Sequence, residues 1–226
     1  MSKIAVVIGA GPGLGAAVVR RFAREGFTVA AVARNASTVA SLAEARHYAA
    51  DTTDAASVAS LFAKIHKELG PVEVLVYNAG AFQMGSILDL SPEDFERCWR
   101  ANCLGGFLCA REVARGMVDR GHGTILLTGA TASLRGSANF ACLAVGKFGL
   151  RALSQSMARE LGSKGVHVAH VVVDGQIESA RTKQAGRAAN TVLAPDAIAE
   201  TYWHLHSQDP TAWTLEMDLR PNVEKF

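Results

Sequence analysis

The first chemistry this sequence offers is carried by glycines. In Val6-Val7-Ile8-Gly9-Ala10-Gly11-Pro12-Gly13-Leu14-Gly15, an apolar run over 4–8 turns into a helical pattern that holds Ala16, Val18, Val19, Phe22 and Ala23 and stops at Gly26. Strand, glycine turn and helix together let backbone approach a pyrophosphate closely and set its charge against N–H groups at a helix N-terminus. A nucleotide is the ligand predicted. At the end of the next apolar run stand Arg34 and Asn35, with no carboxylate. An acidic residue there would accept from a ribose 2′-hydroxyl, whereas a guanidinium suits a 2′-phosphate. The expected cofactor is NADP in preference to NAD.

Other reactive side chains are scattered. Lys147 stands among apolar neighbours in a helical pattern, which favours a ligand contact over a solvated face. Asp51, just ahead of a helix, is also in position to cap it, and Asp174 is better suited to holding a turn than to acid catalysis. The seven histidines show no H-x-x-x-H spacing, so no metal is expected. Four cysteines, Cys98, Cys103, Cys109 and Cys142, have no C-x-x-C pair, and three share one helical stretch. Free thiols in a reducing compartment, by default the cytoplasm, are the expectation. A net charge of +2 with no basic run argues against nucleic acid. No apolar run reaches membrane-spanning length, and residues 1–3 lead straight into a strand, leaving no room for a signal peptide.

These side chains need a scaffold. Hydrophobic residues make up 49% and charged residues 19% of 226, enough for one globular α/β domain, 1–226. Apolar runs predict strands at 4–8, 27–33, 47–50, 72–77, 124–128, 166–173 and 213–219, the last a short one. Helical periodicity predicts helices between them: a short one over 37–45, one that stops at Gly70-Pro71, and long ones over 92–120 and 139–161, with another over 195–206. Asp51-Thr52-Thr53-Asp54 and Ser91-Pro92-Glu93-Asp94 supply starting signals. Alternation of this kind gives a doubly wound parallel sheet with its ligand edge at the strand ends.

With these motifs in order, the chain resembles the short-chain dehydrogenase/reductase family over nearly its whole length. The glycine motif matches, with Ile8 where threonine is usual; Asn78-Ala79-Gly80 is intact, and Lys147 opens the family-like run Lys147-Phe148-Gly149-Leu150-Arg151-Ala152-Leu153. The resemblance implies a single-domain Rossmann fold with a seven-stranded parallel sheet of order 3-2-1-4-5-6-7. It also implies a cofactor site at Gly9, Gly11, Pro12, Gly13, Leu14, Gly15, Arg34, Asn35, Asp51, Asn78, Ala79, Gly80, Lys147, Gly175, Ile177 and Ser179. Asp51 would meet the adenine, Lys147 the ribose, and Ser179 the nicotinamide end; residues 176–193 would cover the substrate. Paired long helices over 92–120 and 139–161 imply a homodimer or homotetramer.

Two positions depart from the family. Its tyrosine, four residues before the lysine, is Leu143 here, and its serine, thirteen residues before that, is Ala130. Thr131, Ser133 and Cys142 flank the vacated places as weaker candidates. Two readings follow. Either Lys147 supplies the proton through a water held by Asn102, which matches the family's asparagine, making a slow or narrowly specific NADP-dependent oxidoreductase acting on carbonyls or alcohols, or the chain is a non-catalytic NADP-binding sensor or partner subunit.

Overall fold

The computed structural model describes residues 3–223, so the first two and last three residues of the expected 1–226 domain lie outside the described residues. Seven strands form one sheet: β1 (Ile4–Ile8), β2 (Thr28–Ala33), β3 (Ala45–Ala49), β4 (Val72–Tyr77), β5 (Gly123–Thr128), β6 (Val166–Val173) and β7 (Glu216–Leu219). Their order is β3-β2-β1-β4-β5-β6-β7, and every pairing is parallel. This is the single-domain α/β Rossmann arrangement expected from the sequence.

Every residue of β1, β5 and β6 is buried, because helices cover both faces of these strands. Successive side chains alternate between two cores. On one face Ala5, Val7, Val74 and Val76 pack against α1 (Leu14–Arg24) and α7 (Pro195–His206). On the other, Val6, Ile8, Leu75 and Tyr77 pack against α2 (Ala55–Glu68), α4 (Gly105–Arg120) and α5 (Ala141–Leu161). The shorter helices are α3 (Pro92–Trp99) and α6 (Ala180–Gln184). No helix among the described residues is long and apolar enough to cross a membrane.

Three local expectations are corrected. The helix expected over 37–45 is a 3₁₀ turn, Ala36–Val39. The Asn35 side chain accepts from Ser37 N at 3.1 Å, and short polar side chains of this kind favour turns over continued helix. Pairing of Ala45 with Val29 then draws β3 two residues earlier than expected. The helix expected over 92–120 is interrupted by a π-helical turn, Arg100–Leu104, between α3 and α4. There the buried Tyr77 hydroxyl donates to Ala101 O at 2.6 Å, competing for a carbonyl of the helical ladder. Gly105 follows because any Cβ there would strike the Tyr77 hydroxyl. Finally, Asp54 caps α2 by accepting from Ala56 N and Ser57 N, while Asp51 accepts from Thr53 N and its hydroxyl. Those Thr53 bonds, the backbone one first, lower the Asp51 pKa.

Candidate functional site

Two clefts open along the C-terminal ends of the strands. The first, about 450 Å³, is lined by Gly9, Gly11, Arg34, Asn35, Thr38, Ala50, Thr52, Asn78, Ala79 and Gly80 among others. Gly9, Gly11, Ala33, Ala50, Ala79 and Gly80 are the small residues of its lining, and close packing dictates the first. A Cβ on Gly9, whose φ is +82°, would lie 2.6 Å from Ala79 N, and one on Gly15 would overlap Gly9 O. Asn78 fixes the same loop, its amide donating to Gly9 O at 3.0 Å. By contrast, a Cβ on Gly11 would only touch the Thr38 methyl at 3.9 Å, and one on Gly13 would face open space.

The start of α1 is bare. Gly13 provides no side-chain cap and the first turn holds no acidic residue, whereas Asp54 caps α2 and Ser91 caps α3. Leu14 and Gly15 open this helix, so its unpaired N–H groups and positive end are free for an anion. The cleft is lined by one cation, Arg34, and by no carboxylate. A dinucleotide with pyrophosphate and 2′-phosphate groups fits this cradle.

Between the clefts lie Asn102 and Lys147. Asn102 is fully buried in the π turn, donating to Ala81 O at 2.7 Å and Cys98 O at 2.9 Å. Its Oδ1 has no hydrogen-bond partner among the described residues. That atom lies 2.7 Å, and Lys147 Nζ 3.8 Å, from where a Cβ of Gly80 would be, so only glycine leaves room there. Lys147 Nζ donates to Thr128 O at 2.8 Å, and burial lowers its pKa to about 8.

The second cleft, about 430 Å³, is lined by Ala130, Thr131, Arg135, Phe140, Leu143 and Val173, with further residues from 132–191. Ala130 and Leu143 therefore face one space, although thirteen residues separate them in the chain. Gly175 also lines it, at a φ of +143°. Ile177 instead pairs with Leu193, and Ser179 exchanges hydrogen bonds with Thr182 at the start of α6. Cys142 is buried beside Cys98. Asp174 holds a turn, accepting from the Thr131 hydroxyl and pairing with Arg220 at 3.2 Å.

The floor of this cleft rests on Ser133, one of the weaker candidates, and behind it on His170, Glu216 and Arg151, which sequence reasoning missed. Ser133 Oγ accepts from Ala130 N at 3.1 Å and sits 3.3 Å from His170 Nε2. His170 Nδ1 is 3.4 Å from Glu216 Oε2, beyond good hydrogen-bond length, and Glu216 is gripped by both Arg151 nitrogens at 2.6 and 2.7 Å. Burial lowers the His170 pKa more than Glu216 raises it, so the ring is neutral. The signal was His170 itself, a polar residue inside the apolar run of β6.

The short chain dehydrogenase family model matches residues 3–190. The chain belongs to the short-chain dehydrogenase family. A short-chain dehydrogenase of Rhodopseudomonas palustris superposes on it with a TM-score of 0.84 at 38% identity, covering 97% of this chain and 98% of that one. A metagenomic short-chain oxidoreductase solved in complex with NADP gives 0.86 at 26% identity, with 98% of each chain covered. A curated short-chain dehydrogenase/reductase of Armillaria gallica is 34% identical over 177 residues, 74% of this chain and 68% of that protein. This short-chain dehydrogenase thus shares its family's oxidoreductase scaffold.

Proposed function

We propose that this chain is an NADP-dependent oxidoreductase acting on a carbonyl or alcohol, with a proton supply that dispenses with the family's serine and tyrosine. The observation that carries the reading is the placement of Lys147, buried between the clefts with Asn102 Oδ1 on the same side of Gly80. A bound nicotinamide supplies or accepts the hydride. The α1 N-terminus and Arg34 hold phosphates, and the loop at Gly9 sets their height above the sheet. Lys147, with a pKa lowered to about 8, holds a proton at neutral pH and releases it readily. Asn102 Oδ1 offers an acceptor to a water that passes this proton towards the space lined by Ala130 and Leu143. The NADP complex of the metagenomic relative supports the choice of cofactor.

Ala130 and Leu143 favour the second reading, a non-catalytic NADP binder, because neither offers a hydroxyl to a substrate oxygen. NADPH oxidation across a broad carbonyl panel separates the two. Turnover by the wild type that disappears in Lys147→Met supports the relay. If the wild type is inert on every substrate, and Ala130→Ser with Leu143→Tyr gains activity that Lys147→Met removes, the binder reading stands.

A symmetric homodimer or homotetramer completes the proposal. Phe95, Trp99, Phe107, Val145 and Phe148 on α3, α4 and α5 are large apolar side chains at least 37% exposed, the kind of surface a partner helix covers. Sedimentation at micromolar concentration tests it, a monomer overturning it. The four cysteines are free, which supports a reducing compartment such as the cytoplasm.

A further inference from the structure

We propose that the second cleft takes a carbonyl substrate carrying an anionic group, a carboxylate or a phosphate, held by Arg135 and Arg187. The inference rests on the oxidoreductase reading, because the anion is the tail of the molecule whose carbonyl faces Leu143.

The two arginines come from separate walls. Arg135 follows the 3₁₀ turn Thr131–Ser133 after β5, its N–H donating to Thr131 O at 3.2 Å. Arg187 follows α6, its N–H donating to Thr182 O at 3.2 Å. Both side chains are exposed, and both line the one cleft. No Asp or Glu lines it, and neither guanidinium has a carboxylate partner among the described residues. The neighbouring carboxylates are engaged elsewhere: Asp174 with Thr131 and Arg220, and Glu178 with Lys183 at 2.8 Å. Two like charges are thus gathered at one mouth with nothing to neutralise them. A planar guanidinium pair is suited to the oxygens of a carboxylate or phosphate. Deeper in, Phe140, Leu143 and Val173 offer an apolar wall to the body of the molecule.

The test uses the full chain with NADPH and three matched aldehydes: para-carboxybenzaldehyde, para-formylphenyl phosphate and the methyl ester of para-formylbenzoic acid. A hydrogen bond to a charged group is worth roughly 1.5–3 kcal/mol, so an anionic probe should exceed the neutral ester about tenfold or more in kcat/KM. The carboxylate and phosphate arms show which anion is preferred. In Arg135→Gln with Arg187→Gln the ratio of anionic to ester probe should fall towards one. An ester turned over as well as both anions, or a ratio unchanged in the double variant, overturns the proposal while leaving the oxidoreductase reading intact. So does a double variant that weakens NADPH binding alone. If no probe is turned over, the fluorescence of bound NADPH decides. A change with either anionic probe and none with the ester keeps the anion site, and no change with any probe overturns it; the oxidoreductase reading stands or falls separately on the broad carbonyl panel.

Discussion

The two clefts share one sheet edge yet are built from different materials. The first is lined by small residues, Gly9, Gly11, Ala79 and Gly80 among them, and its shape follows from parallel pairing of β1 with β2 and β4. The second is lined by residues of the segments after β5 and β6 together with Leu143 of α5 and Val173 of β6, and it is anchored by Ser133, His170, Glu216 and Arg151 on one side and by Thr131, Asp174 and Arg220 on the other. Backbone contacts leave almost no freedom to change a residue. Side-chain contacts can be re-specified one position at a time, which is how Ala130 and Leu143 can stand in the second cleft while the first keeps its glycines.

The sharpest way to break this contrast is substitution on each side of it. Gly9→Val should cost about 3 kcal/mol or more, since it adds strain at φ +82° to overlap with Ala79 backbone. Leu143→Met, a volume-conserving change in the second cleft, should cost less than about 1.5 kcal/mol. Urea midpoints at constant m-value measure both, and equal losses would erase the distinction.

Next in size is Lys147, which lies between the clefts. Its change to Met should lower kcat by about 10²–10⁴ if it supplies the proton. In the wild type, carbonyl reduction should fall as pH rises through about 8, where the buried amine loses its proton. A flat rate profile across that range would remove Lys147 from proton supply.

Arg34 sharpens the first cleft alone. Arg34→Gln should weaken NADPH binding about tenfold and so narrow its advantage over NADH, because a charge-assisted bond to the 2′-phosphate is lost. Titration with both nucleotides reads the ratio, and an unchanged ratio would mean that Arg34 only ends a strand.

Acid acts mainly away from both clefts, at the start of β5 and β6. His206, packed beneath the β5 end with Nδ1 at 2.9 Å from Thr124 Oγ1, has a pKa lowered by burial to about 4, and burial lowers His167 and His170 as well. The folded chain keeps these rings neutral, while the unfolded chain takes up protons near 6.5. Their contribution to stability is therefore whole above about pH 6.5 and is lost as pH falls towards about 4. Urea unfolding at both ends of that window should show the loss, and His206→Gln should reduce the slope. A slope unchanged in that variant would place the acid sensitivity elsewhere.

The sequence by itself determined the elements whose signals are local. Apolar runs bounded by glycine marked the buried strands, Ser91-Pro92 marked the start of α3, and the spacing of Gly9 to Gly15 marked the tight turn between β1 and α1. Order along the chain, together with the resemblance, then implied the strand order that is observed. What only the tertiary structure decided depends on contacts between distant residues. Tyr77 reaches Ala101 and opens the π turn that holds Asn102. Pairing with β2 takes Ala45 out of the helix expected over 37–45 and into β3. Ser133, His170 and Glu216 meet across 83 positions of sequence, and Arg135 and Arg187 line one cleft although they stand 52 positions apart. Periodicity and capping report how a residue sits among its near neighbours. Which far residues share a cleft is set by strand register and by the crossover that brings each loop to the same edge.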